Sequence, residues 1–187
     1  MAITRIGPNQ SINLASNITG TLATGNGGTG ATSFAPGKVL QVVQTTSSTQ
    51  TSSTSTSDVE IFNAAITPSS SSNKILIQVA LYLGKGNNET YFCKRGSTKI
   101  GGVGGSSGTF INNDSFYNID EAVTSSDHSI DALSWNYVDS PSTTSAVSYS
   151  IGHVNGTASP EFYINRGKTN TTGARGTSTL TLMEIAG

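Results

Sequence analysis

The sequence predicts an all-β protein: an antiparallel β-sandwich, jelly-roll-like, preceded by an extended N-terminal arm. Three observations carry this. Apolar residues alternate with period two in several short segments. Clusters of Gly, Pro, Asn and Ser punctuate the chain between those segments. No stretch keeps a 3.6-residue period long enough for a long helix. Two regions follow, an arm at 1–37 and a knob at 38–187.

The arm comes first. Ile3, Ile6, Ile12, Leu14, Ile18 and Leu22 are its only large aliphatics, spaced singly among Asn, Ser, Thr and Gly. That texture is too Gly-rich for a helix and too poor in large side chains for a core strand. It suits a chain that presses scattered apolar knobs onto a neighbouring surface. Fully extended, it reaches on the order of 100 Å. Gly25, Gly27, Gly28 and Gly30 supply a bend or a close backbone approach. Pro36-Gly37 is the turn that opens the knob.

From Lys38 the texture turns to β. Segment 38–45 is rich in Val, and the Ser/Thr run 45–57 is a loop or a polar hairpin. Segment 58–67 places Val59, Ile61, Asn63, Ala65 and Thr67 on one face, and Pro68 with the serines after it turns the chain. Residues 74–84 form the clearest strand: Ile75, Ile77, Val79, Leu81 and Leu83 alternate with Leu76, Gln78, Ala80 and Tyr82. That aliphatic face belongs in the core and the strand belongs mid-sheet. After Gly86-Asn87-Asn88, segment 89–96 is expected to return as its hairpin partner. Residues 101–109 are a Gly-rich loop, and 112–131 are irregular, with a short helical turn as one reading. Strands at 132–138, 145–154, 160–166 and 177–185 complete the set. In the last, Leu180, Leu182, Glu184 and Ala186 face one way; Thr179, Thr181, Met183 and Ile185 face the other. A strand at the chain end is expected inside a sheet, because a free end frays.

Composition narrows the function. Charged residues are 11% of the 187, against a usual level of about 25%, while Ser and Thr number 54. Hydroxyls and amides, more than charges, therefore keep this surface in water. A formal charge of -1 gives no steering toward nucleic acid. No basic block addresses an anionic membrane, and no apolar run is long enough for membrane insertion. The start, MAITRIGPNQ, lacks the apolar stretch of a signal peptide. Sequons at Asn9, Asn17, Asn88, Asn113, Asn155 and Asn170 are what chance supplies in such a composition.

No constellation for catalysis or a cofactor emerges. Asp127, His128 and Asp131, with Glu121 upstream, do not by themselves make the converging three or four ligands of a metal site, and they read as a solvated acidic loop. His153 reads as a surface or interface residue at a strand end. No serine lies in G-x-S-x-G. The carboxylates Asp114, Asp120, Glu121, Asp127, Asp131 and Asp139, the candidates for a glycosidase pair, fall in or beside loops where acids meet water. The Gly-rich 101–105 lacks the Gly-Lys-[Ser/Thr] of a phosphate loop. The lone Cys93 reads as a small buried hydrophobe. Trp135 and Tyr137 alternate on one strand; they suit sheet packing or a subunit seam, with glycan contact as the alternative.

Residues 20–33, GTLATGNGGTGATS, resemble a segment of tail-fibre and related virion proteins of tailed bacteriophages. GKVLQVVQT, LSWNYVDSPSTTSAVSYSIG and STLTLMEIAG look like globular modules of short fibres, head fibres and capsid decoration proteins. The resemblance implies a homotrimer, assembled in the host cytoplasm and exposed on the particle. Its arm 1–37 would attach to the major capsid protein or another virion protein, and its jelly-roll knob would project outward. It brings no catalytic residue and no cofactor. A receptor-binding tail fibre normally has a long shaft of repeats or heptads. None is present here, which favours a capsid decoration (cement) or head-fibre protein over a short tail fibre gripping host surface glycans.

Overall fold

The computed structural model of the chain describes residues 38–84, 89–102, 115–119, 130–156, 161–169 and 173–187. The arm, with its six aliphatics and its glycine bend, lies outside the described residues, as does His128. In chain order the strands are β1 (Val39–Ser47), β2 (Thr51–Ser53), β3 (Val59–Ile66), β4 (Lys74–Gly84), β5 (Glu89–Arg95) and β6 (Thr98–Ile100). They continue with β7 (Tyr117–Ile119), β8 (Ile130–Asp139), β9 (Val147–Asn155), β10 (Phe162–Ile164) and β11 (Ser178–Ile185). No helix occurs among the described residues.

The strands form two antiparallel sheets around one core, a jelly-roll-like sandwich. In the larger sheet β4 is central: β8 runs along one side, while β11 and then β10 pair with the other. β1 flanks β11 and β2 flanks β10. In the smaller sheet β5 is central, with β9 on one side and β6 and β7 on the other, and β3 lies beyond β9. The alternation in β4 does what its pattern demands. Ile75, Ile77, Val79, Leu81 and Leu83 are at most 3% exposed and meet Leu180, Leu182, Phe62, Ala64, Ile66, Cys93 and Ile151 between the sheets. Each such side chain contributes about 1.5–3 kcal/mol by leaving water. β11 lies between β1 and β4, so the last strand is interior as expected.

Three expectations are corrected. β5 is not the hairpin partner of β4; the chain crosses there to the smaller sheet and pairs with β9. A short Gly-Asn link specifies reversal, but not whether the returning strand stays in the same sheet. The face assigned to 58–67 is split by an irregularity between Glu60 and Phe62. Ile61 packs against the core, Asn63 and Ala65 are exposed, and Phe62, Ala64 and Ile66 are buried. The Ser/Thr run makes no hairpin of its own, because β2 pairs with β10. Within 112–131, Tyr117–Ile119 is a strand on β5, where aromatic and β-branched residues suit the pleated edge; residues 120–129, most of the segment read as irregular or a helical turn, lie outside the described residues.

One polar side chain ties the strands together at the β10 end. Asn165 is fully buried and takes a left-handed conformation, φ 60°, which Asn tolerates better than most residues. Its Nδ2 donates to the Ser47 and Thr49 carbonyls at 2.8 and 3.0 Å. Its Oδ1 accepts from the Ser178 N–H and hydroxyl at 3.1 and 2.7 Å. Its backbone N–H donates to the Tyr82 carbonyl at 2.8 Å.

Candidate functional site

The two sheets differ most on their outer faces. Cross-strand partners share a face, so rows on the larger sheet can be read across β1, β11, β4 and β8. One row is Val42–Met183–Leu76–Val138, the next Gln44–Thr181–Gln78–Asn136, the next Thr46–Thr179–Ala80–Ser134. None of these residues is charged; Lys74 stands at one rim. The first row is apolar and open, with Val42 56% and Val138 48% exposed. Val39 and Leu40 continue it at the start of β1. The Gln44 amide donates to the Thr181 hydroxyl at 2.8 Å, so part of the polar row is already organised.

The outer face of the smaller sheet is charged. Lys94 and Lys99 reach Asp58 at 2.8 and 3.0 Å. Their ammonium groups stand 5.0 and 4.2 Å from the Phe92 ring centroid. Phe92 is nearly buried because its ring lies flat on Gly152, where a Cβ would come within 2.5 Å of it. Partial burial pushes the Asp58 carboxyl up, but the hydrogen bonds and charges of Lys94 and Lys99 outweigh this and hold it below its ordinary value.

Between the sheets, carboxylates have two fates. Glu184, predicted to share a face with Leu180 and Leu182, does so and is 1% exposed. It accepts from Asn73 Nδ2 at 2.5 Å, Gln41 Nε2 at 2.6 Å, and the Ser69 N–H and hydroxyl at 2.6 and 2.8 Å. Desolvation opposes its charge, yet these donors win and hold its pKa at about 2. Asp139 is also buried, which corrects its reading as a solvated loop acid. It accepts from Arg95 Nη1 at 2.9 and 3.0 Å and from the Tyr149 hydroxyl at 2.7 Å, clasping β8 to the smaller sheet. Glu89 is the contrary case: fully buried, it accepts one bond from the Tyr91 hydroxyl at 2.6 Å, and its Oε1 has no partner among the described residues. Burial pushes it up to about 7 despite that bond.

His153 is not a surface residue. It is fully buried against Phe162, neither ring nitrogen has a partner among the described residues, and burial pushes its pKa down to about 4. The position opposite Tyr91 on β9, facing inward, explains this. Cys93 is buried as expected, and burial pushes its thiol up to about 12. Trp135 and Tyr137 stack on one another, centroids 5.6 Å apart, and Phe116 stacks on Trp135 at 4.5 Å. Both rings pack against the core and against Gly101, where a Cβ would come within 2.5 Å of Trp135. Asp131 lies on β8 opposite Leu83 and is exposed; the other candidate acids, Asp114, Asp120, Glu121 and Asp127, lie outside the described residues. Among the described residues no three His, Cys, Asp or Glu side chains are grouped as a metal site.

No protein-family model matches the chain, and no curated protein sequence does. Among solved structures, the crystal structure of the infectious bursal disease virus VP2 subviral particle is similar over 78% of this chain, at 12% identity and a TM-score of 0.33. The chain spans 40% of that protein.

Proposed function

We propose that this chain is a non-catalytic virion structural protein of a tailed bacteriophage, a homotrimeric capsid decoration or head-fibre protein held to the particle by its arm. The observation that supports this reading is the contrast between the outer faces: one sheet carries its charges to solvent, while the other offers three successive rows across four strands without a charge. A protein that works by association needs such a face; one that works alone in water does not. The phage-like segment at 20–33 supplies the particle. Contacts made only in the assembled shell stabilise it by mass action. Ile3, Ile6, Ile12, Leu14, Ile18 and Leu22 each contribute little, and three arms on one trimer add avidity.

Immunogold labelling of virions tests it. Label on the capsid surface, lost when residues 1–37 are deleted, is the expected result; virions without label overturn the reading. A second reading, a receptor-binding module of a short tail fibre, is favoured by the partly buried Trp135–Tyr137 stack at the β8 edge. Binding of the full chain to a host-glycan array, abolished by Trp135→Ala, would select it.

A further inference from the structure

We propose that the outer face of the larger sheet is the seam between copies of this chain, three such faces turned toward a common axis. This rests on the reading of the chain as a self-associating particle component and names the surface that does it. Four of the five exposed large hydrophobics among the described residues, Val39, Leu40, Val42 and Val138, lie on or beside this face.

Charge decides the occupant. A partner bearing ions would bury them here against Val, Met and Leu with no counter-ion, at a high desolvation cost. A second copy of the same face brings only Lys74, at the rim and open to water. It also brings matching polar chemistry, since the amides of Gln44, Gln78 and Asn136 each donate and accept. Four strands about 4.8 Å apart and about nine residues long present roughly 500 Å² per copy, so three faces meeting at one axis bury roughly 1,500 Å² over the whole trimer. The join to the arm agrees too. Residues 1–37 lead through the exposed Lys38 into Val39 at the rim of this face, so packing the faces together brings three such entry points to one axis and supplies the avidity that attachment uses.

The test is the mass of the full chain in solution by light scattering, for the parent and for Val42→Glu, Val138→Glu and the double variant. The control is Ala65→Glu, on the exposed face of the smaller sheet. The parent and the control are expected at three times 19.2 kDa, and the double variant at 19.2 kDa with a cooperative thermal melt. A trimer that survives the double variant overturns the seam while leaving the proposed function standing. A parent that is monomeric at tens of micromolar overturns the seam as well. A dimer dissolved by the same changes supports the seam and overturns the threefold count. If the double variant loses its melt, hydroxyl-radical oxidation of Met183 in the parent decides: protection on concentration supports the seam, and unchanged labelling overturns it. Virion labelling, read separately, tests the particle assignment.

Discussion

The two sheets handle charge in opposite ways. The larger sheet has three rows without a charge on its outer face and holds carboxyl groups within, where Glu184 and Asp139 sit among hydrogen-bond donors. The smaller sheet wears Asp58, Lys94 and Lys99 outside and holds its inward titratable groups, Glu89 and His153, toward their neutral forms. The contrast follows from where each sheet meets water. An interior charge is tolerable when four donors converge on it, and then it serves as a structural tie. An outer face can forgo charge only if something other than water covers it.

Glu184→Ala attacks the comparison hardest. It strands the donors of Asn73, Gln41 and Ser69 around an empty site, and it should cost about 2–4 kcal/mol in urea melts. A loss under 1 kcal/mol would mean the cage is slack. The next effect is acid sensitivity. The folded value of Glu184, about 2, lies below its ordinary 4.5. Its contribution is therefore complete above pH 4.5 and lost as pH falls from there toward 2. Urea melts across that window should show the drop in the parent and a smaller one in Glu184→Ala.

Glu89→Gln probes the opposite sign. Its folded value, about 7, lies above 4.5, so the folded state holds the proton longer. Stability is full below pH 4.5 and declines as pH rises through 7. At pH 8.5 the glutamine variant should be more stable than the parent by about 3 kcal/mol, and at pH 4.5 nearly equal to it. The variant also unmasks His153, whose folded value of about 4 lies below 6.5, so its contribution is lost as pH falls between those values. In the parent the two slopes oppose each other between pH 4.5 and 6.5. A parent-minus-variant difference that does not change with pH would sink this account. Smallest is Asp58→Asn, which leaves Lys94 and Lys99 without their shared partner. Being at the surface, it should cost about 0.5 kcal/mol, a difference that 0.5 M NaCl removes.

The sandwich class, the inward face of β4 and the interior position of β11 were legible because period-two alternation is a local signal that burial enforces. Sheet membership was not. β4 and β5 are joined by a turn signal that reads the same whether the strands pair or cross. The three-residue strands β2, β6 and β7 are too short to show a period, and they exist because β10 and β5 offer open edges. The carboxylate cage was hidden for a different reason. Glu184 showed its facing in the sequence, but its donors come from Gln41, Ser69 and Asn73, more than a hundred residues away. His153 was misplaced because a histidine after Gly152 at a strand end carries no mark of which way it faces. The neutral outer face was half visible: the composition announced a lack of charge, and only the registers of β1, β11, β4 and β8 gathered it onto one surface.

Asn165 gives the molecule a chemical clock. Hydrolysis of its side-chain amide to an acid, the slow ageing reaction of asparagine, would replace two donors with lone pairs aimed at the carbonyls of Ser47 and Thr49. Complete burial withholds the water that this hydrolysis consumes. The knob should therefore age from its exposed asparagines, such as Asn63, long before the one whose conversion would unstitch it.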